Sequence, residues 1–264
     1  MDLKLTGKTA LVTGSTAGIG FGIARRLLQE GVSVVINGRT EARINSALDQ
    51  LRRAIPDCTV QGCAADFADA AAVQHLLDDH DSIDILINNV GIFAPKPFAE
   101  ITDEEWLHFF EVNVLSGVRL SRHYLPQMLK QNWGRIIFIS SESGVQIPAE
   151  MVHYGTTKTA QLGVSRGLAQ QTAGTNVTVN TVIPGSTRSE GSEKFISDLA
   201  QEQGLSKEEV VREFSEKVMP TCLLERFVTI DDVATFVTYL PIPLAAANNG
   251  LALRLDVGTL PTIL

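Results

Sequence analysis

Five short runs of apolar, largely β-branched residues punctuate this chain, at Lys8 to Thr13, Ser33 to Asn37, Ile83 to Asn88, Arg135 to Ser140 and Val177 to Ile183. A run that is apolar on both faces suits a strand covered on both sides, as in a parallel sheet. Helical stretches separate them: Ile19 to Glu30, Glu41 to Ala54, Ala70 to Asp79, Asp103 to Gln131 and Met151 to Thr172. Thr59 to Ala64 reads as a weaker strand, Leu251 to Leu255 as a last short one, and Val228 to Tyr239 as a further helix. Repeated strand–helix units predict an α/β fold, a doubly wound parallel sheet of about seven strands flanked by helices on both faces. Asp103 to Gln131 is long enough for two helices in near-continuous succession, with Gly117 its weak point. Residues 189–226 are charged, helical and weakly apolar, an excursion from the sheet pattern. No linker rich in Pro, Ser or Gly divides residues 1–264, and no repeat is visible, so the chain reads as a single domain.

Charge narrows the partners. Lys and Arg total 22 against 30 for Asp and Glu, a formal charge of −8. That balance argues against a nucleic-acid backbone, which needs a basic face, and against attraction to an anionic membrane. Cys58, Cys63 and Cys222 form no Cys-x-x-Cys pair and read as free thiols. The five histidines show no metal-ligand spacing, and no metal is expected. From Met1 the chain leads almost directly into the first strand, with no apolar leader and no run of eighteen apolar residues, so a cytoplasmic protein is expected.

The first strand runs into glycines that open a helix, Thr-Gly-Ser-Thr-Ala-Gly-Ile-Gly from Thr13 to Gly20. Glycine permits a tight turn and close backbone approach to a pyrophosphate, and the helix N-terminus offers free N–H groups and a positive dipole end. The second strand ends Asn37-Gly38-Arg39-Thr40, without the acidic residue that would accept hydrogen bonds from an NAD ribose. Arg39 presents a guanidinium fork suited to a 2′-phosphate, to which Ser15 or Thr40 could add a hydroxyl. NADP is therefore expected over NAD, with a strand-capping surface arginine as the plainer reading of Arg39.

Tyr154 and Lys158 stand four residues apart, which on a helix sets them on one face. A cation beside a phenol favours the phenolate and moves its pKa from near ~10 toward the working range. Ser141 follows an apolar run, which puts its hydroxyl at a strand's carboxyl end, where open α/β sheets bind ligands.

Taken in order, Thr13-Gly14-x-x-x-Gly18-Ile19-Gly20, Asp66, Asn88-Asn89-Val90-Gly91, Asn113, Ser141, Tyr154-x-x-x-Lys158 and Pro184-Gly185 resemble the short-chain dehydrogenase/reductase family over nearly the full length, in the manner of its 3-oxoacyl reductases. The resemblance implies a Rossmann-type domain binding NAD(P) and an oxidoreductase of carbonyl compounds or secondary alcohols. It implies a cofactor contact at Gly14, Ser15, Ala17, Gly18, Ile19 and Gly20, at Arg39 and Thr40, and at Asp66 and Phe67, where Asp66 would meet the adenine or serve as a helix cap or turn. It places Asn89 and Gly91 along the adenine ribose, and Pro184, Gly185, Thr187 and Ser189 in the loop that meets the nicotinamide carboxamide. Tyr154 is implied as general acid and base, Lys158 as the residue that lowers its pKa and contacts the nicotinamide ribose, and Ser141 as a hydrogen-bond partner of the substrate oxygen. Asn113 resembles a helix-kinking asparagine whose carbonyl holds a water; the plain alternative is a mid-helix polar residue facing solvent.

Three departures from the family pattern stand out. Val90 replaces an alanine, Thr156 and Thr157 precede the lysine where smaller residues are usual, and Leu255-Asp256-Val257-Gly258 replaces a tail with one more glycine. Phe93, Ser143, Ile147 and Val152 are candidates for the substrate wall, with Phe195, Leu199, Phe214 and Met219 on a lid formed by residues 189–226, or simply packing there. Arg188 could recruit an acidic group or pair with Glu190 or Glu193. The helices at 103–131 and 151–174 resemble the family's subunit interface, so a homotetramer is expected, with a dimer as the alternative. An epimerase or dehydratase using the same tyrosine, and a non-catalytic binding protein, remain as alternative functions.

Overall fold

The computed structural model describes residues 3–218 and 220–263, with no side-chain account for residues 214–218. Met1, Asp2, Met219, Leu264 and the side chain of Phe214 therefore lie outside the described residues. In chain order the strands are β1 (Thr9–Val12), β2 (Ser33–Gly38), β3 (Val60–Ala64), β4 (Ile85–Asn88), β5 (Gly134–Ile139), β6 (Val177–Pro184), β7 (Thr187–Arg188), β8 (Val228–Thr229) and β9 (Ala252–Leu255). The α-helices are α1 (Gly18–Gln29), α2 (Glu41–Ala54), α3 (Ala70–Asp79), α4 (Asp103–Phe110), α5 (Ser116–Lys130), α6 (Val152–Gln170), α7 (Glu190–Gln203), α8 (Lys207–Val218) and α9 (Ile230–Tyr239).

Seven strands form one sheet in the order β3-β2-β1-β4-β5-β6-β9, and every neighbouring pair is parallel. The inner strands β1, β2, β4, β5 and β6 are buried because each face of the sheet carries its own apolar layer. Leu27, Ile44, Leu51 and Val237 belong to one, and Leu76, Leu120, Tyr124 and Phe138 to the other. Strand order reverses between β1 and β4, and that reversal opens a crevice beyond the carboxyl ends of the strands. Candidate residues come from those carboxyl ends and the turns that follow them, and from the helical segments at Glu111–Leu115, α6 and α7.

The long 103–131 stretch breaks at a different place from the one its sequence points to. The helix is interrupted by a π-helical turn over Glu111–Leu115, centred on Asn113, and Gly117 continues the helix beyond it. A polar side chain that finds better partners outside the helix has displaced the regular hydrogen-bond ladder, as π-bulges at functional sites do. The 189–226 excursion comprises α7 and α8, and its base is pinned by a two-residue parallel ladder between β7 and β8. Cys58, Cys63 and Cys222 are free and half-buried.

Candidate active site

The glycine turn folds as its sequence requires. Gly14 lies at φ +60°, a left-handed backbone that other residues adopt at a cost, and a Cβ on Gly20 would sit 2.5 Å from the Gly14 carbonyl oxygen. Asn89, at the end of β4, donates from Nδ2 to the carbonyls of Thr13 (2.9 Å) and Gly14 (3.1 Å), tying the turn to the centre of the sheet. Ala17 precedes α1 without a side-chain cap, and the first turn of α1 holds no acidic residue. Ile19 leans back onto the core, and Ser189, which caps α7, stands across from Gly18.

Several of the expected cofactor residues also serve the fold itself. Ser15 is buried, and its hydroxyl is fully used: it donates to the Val12 carbonyl (2.6 Å) and accepts from the Asn37 backbone (2.9 Å). It is a structural bolt between β1 and β2 rather than a free donor for a phosphate. Phe67 is buried among Leu76, Leu77 and Tyr124, so its side chain is core rather than lining. Asp66 is exposed and closes its own turn by accepting from the Ala68 backbone (3.0 Å), while the cap of α3 is Asp69. Arg39 and Thr40 are exposed at the end of β2, where Thr40 caps α2. Thr16 was not anticipated. Its side chain packs over Gly38, next to Arg39, a placement that only the pairing of β1 with β2 produces.

Asn113 is 1% exposed, which excludes the solvent-facing alternative. Its amide accepts from the Ile92 backbone (2.8 Å) and donates to the Ile92 carbonyl (3.0 Å) and to Thr157 Oγ1 (2.9 Å). Its own carbonyl accepts from Gln161 Nε2 at 2.5 Å, so one acceptor position is already engaged by protein. Thr157 and Gln161 come from α6, one turn apart, and this clamp explains why a threonine precedes the lysine. The buried face of α6 is unusually polar: His153, Thr157, Lys158, Gln161 and Ser165 all turn inward.

Ser141, Tyr154 and Lys158 converge. Ser141 follows β5, accepts from the Ser143 backbone (3.1 Å) and stands close enough to the Tyr154 phenol to favour its ionised form. Lys158 is 4% exposed; its Nζ lies 5.7 Å from the centroid of the Tyr154 ring and donates to the Ile139 carbonyl (2.9 Å). A Cβ on Gly91 would stand 3.3 Å from that Nζ, so glycine is what leaves the cation room. The electrostatics run against the expectation for an isolated helix pair. Burial pushes the Tyr154 phenol up to about 12, partly opposed by the Ser141 hydroxyl and reinforced by the nearby Glu142 carboxylate. Burial likewise lowers Lys158 to about 8. Desolvation is the largest cause of both shifts.

An aromatic wall stands beside Tyr154. Phe93 meets the Tyr154 ring at 6.1 Å and the Phe195 ring of α7 at 6.5 Å, nearly edge-on. Ile147 packs over Gly155, the next residue on α6. Arg188 pairs with Glu193 at 2.5 Å, the second of the two readings of that arginine. Among the described residues, no cluster of three or more His, Cys, Asp or Glu is arranged to hold a metal, and no helix is long and apolar enough to cross a membrane.

Residues 8–200 match the family model for short chain dehydrogenases. The chain is 45% identical over its full length, and that of the relative, to the uncharacterized oxidoreductase YvaG of Bacillus subtilis. It is 32% identical to a D-beta-hydroxybutyrate dehydrogenase of Cupriavidus necator, covering 96% of this chain and 98% of that one. Among solved structures, L-sorbose reductase from Gluconobacter frateurii, complexed with NADPH and L-sorbose, superimposes with a TM-score of 0.92 at 28% identity, covering both chains completely. A convergent serine, tyrosine and lysine beside a glycine-lined crevice is thus accompanied by full-length likeness to oxidoreductases, and the chain belongs to the short-chain dehydrogenase/reductase family of NAD(P)-dependent enzymes.

Proposed function

We propose that this chain is an NADP(H)-dependent reductase or dehydrogenase that interconverts a ketone and a secondary alcohol, with Tyr154 exchanging the proton. The observation that carries the reading is the meeting of Ser141, Tyr154 and Lys158 under the Phe93–Phe195 wall, at the mouth of the crevice that Gly14 to Gly20 line.

The residues of the crevice fit a dinucleotide. The uncapped N-terminus of α1 leaves backbone donors and a positive dipole end for a pyrophosphate, and a side chain at Gly14 or Gly20 would fill the approach. Arg39 is exposed at the end of β2, where Asn37-Gly38-Arg39-Thr40 carries no acidic residue, which supports a 2′-phosphate over a free ribose. The relative solved with NADPH supports the same preference.

A nicotinamide dinucleotide held by these residues would supply the hydride for the carbonyl carbon. A phenol held at about 12 stays protonated at neutral pH and so stands ready to give its proton to the oxygen as negative charge develops there. Ser141 can donate to that oxygen, and it also stands close to the phenol, so one hydroxyl serves both partners. Lys158 offers positive charge to the phenolate left behind, and its tie to Ile139 fixes where that charge sits. In oxidation the same groups act in reverse. We further propose that α7 and α8 act as a lid on a single domain, with Phe195 closing on Phe93. Exposed Phe98, Leu107 and Leu115 on the α4–α5 side support assembly into a homotetramer or dimer, which light scattering would measure.

The test is NADPH oxidation followed by absorbance over a panel of ketones, in wild type and Tyr154→Phe. Turnover with at least one ketone is expected, lost by about 10²–10⁴-fold in the variant while cofactor binding persists. Residual activity above about one per cent would assign the proton to another group.

A further inference from the structure

One acidic side chain in the site is only half accounted for. Glu142 follows Ser141 directly, at the end of β5. Its Oε1 accepts from the Ser186 hydroxyl at 2.7 Å, which links the Ser141 turn to the loop after Gly185. Its Oε2 is shielded from solvent and has no hydrogen-bond partner. A carboxylate oxygen left in this state costs on the order of 1–3 kcal/mol, so proteins rarely leave one without a purpose. Asp256, the neighbouring acid, is in contrast satisfied, by Arg254 (2.9 Å) and by the backbones of Gly258 (3.3 Å) and Leu260 (2.9 Å). Burial raises the pKa of Glu142, Asp256 raises it further, and hydrogen bonds from Ser186 work the other way. Glu142 also lies near enough to Tyr154 to disfavour its phenolate.

We propose that Glu142 is a specificity-determining residue whose Oε2 accepts a hydrogen bond from a hydroxyl carried next to the substrate carbonyl, which makes α-hydroxyketones the preferred substrate class. The inference rests on the ketone-reductase reading above and deepens it. Position supports it: Glu142 follows Ser141 on the same turn and lies near enough to Tyr154 to raise its pKa, so its carboxyl stands beside the proposed proton donor. Charge supports a neutral hydroxyl over an ammonium, because buried Lys158 already places a cation in the site and a second would repel it. Phe93 (48% exposed) and Ile147 (43% exposed) leave an apolar rim for the rest of the molecule. A donor bound at Oε2 also draws carboxylate charge away from Tyr154, so the substrate itself eases proton transfer.

The experiment compares 2-hydroxyacetophenone with acetophenone, using NADPH and the full chain. Wild type is expected to favour the hydroxyketone by about tenfold or more in kcat/KM, the worth of one hydrogen bond to a charged group. Glu142→Gln, which puts an amide in place of the second acceptor, should erase that preference through KM. NADPH affinity should stay within about threefold. Glu142→Asp, which restores the carboxylate, should recover part of the preference. Equal losses on both ketones would reduce Glu142 to a structural role and overturn the proposal. A wild-type ratio near one would overturn it without any variant, even if Glu142→Gln failed to fold. Reduction of neither ketone despite NADPH binding would overturn this inference, whereas failure of the whole ketone panel would sink the reductase reading itself.

Discussion

Lys158 Nζ is anchored on the carbonyl oxygen of Ile139, 2.9 Å away at the end of β5, rather than on the phenol of Tyr154. The strand fixes the cation, and the helix brings the tyrosine to it. The carbonyl dipole favours the ammonium, yet burial still lowers its pKa to about 8, so the charge depends on pH close to neutrality.

Ketone reduction should therefore decline as pH rises above about 8, because Lys158 loses the proton that stabilises the departing phenolate. The phenol is not the cause of that limb, since Tyr154 keeps its proton up to about 12. Lys158→Met should remove the limb and lower kcat by about 10²-fold, the scale of one lost charge-stabilising group. The check is kcat against pH from 6 to 10; a profile flat to the alkaline end would show that Lys158 does not titrate there.

At the end of β2, Arg39→Ala should weaken NADPH binding by about 10- to 100-fold, as expected for losing hydrogen bonds to a charged group. NADH affinity should not change. Ser15→Ala should leave the NADPH-to-NADH ratio intact but lower stability by about 1–2 kcal/mol, because the buried Asn37 N–H loses its acceptor. Fluorescence titration with both cofactors, alongside urea unfolding, separates the two effects. Equal affinity of wild type for both dinucleotides would dismiss Arg39 as a phosphate ligand.

The tail carries visible strain. Val257 sits at φ +50°, a left-handed conformation that a β-branched residue rarely adopts, where the family pattern has glycine. Its carbonyl accepts from the Leu224 backbone (3.1 Å), so the strained turn is held by the segment that leaves the lid. Both Val257→Ala and Val257→Gly lose the side chain, but only glycine escapes the left-handed penalty. Val257→Gly should thus be the more stable of the two by about 1 kcal/mol, the reverse of the usual order. Thermal melts of the pair decide; alanine ahead of glycine would mean no strain is stored there.

His153 should make the fold sensitive to acid. Its ring is buried against Phe109 (4.1 Å) and Trp106 (6.1 Å), and its Nδ1 has no partner. Burial lowers its pKa from the ordinary 6.5; Glu105 opposes the shift and Lys96 adds to it. With the folded pKa depressed, the stabilising contribution is full above 6.5 and is lost as pH falls below that toward the folded value. Denaturation midpoints at pH 7.5 and 5.5 should diverge in wild type and converge in His153→Leu. A parallel fall in both proteins would place the acid sensitivity elsewhere.

Much of this architecture is legible in the linear order of residues. Ser33–Gly38 and Val177–Pro184 announce buried strands because parallel strands are apolar on both faces, and Glu41–Ala54 and Ala70–Asp79 carry their own caps and apolar stripes. The glycines from Gly14 to Gly20, the Tyr154–Lys158 spacing and Ser141 point to a family because each is set by local backbone geometry. Other features had no local signal. The break at Asn113 was assigned to Gly117, since a glycine is visible in a sequence whereas Ile92, Thr157 and Gln161, which compensate the lost ladder, come from distant segments. Ser15 and Thr16 are adjacent and both hydroxylic; only the pairing of β1 with β2 decides that Ser15 is sealed and Thr16 faces Gly38.

By itself, then, the sequence determined the strand–helix alternation, the glycine turn and the candidates Ser141, Tyr154 and Lys158, because hydrophobic period, glycine placement and helical spacing act over a few residues. The tertiary structure alone decided the proton affinities of Tyr154 and Lys158, the sealing of Ser15 and the unpaired oxygen of Glu142. Desolvation depends on everything packed around a group, and the segments that surround these residues lie far from them along the chain.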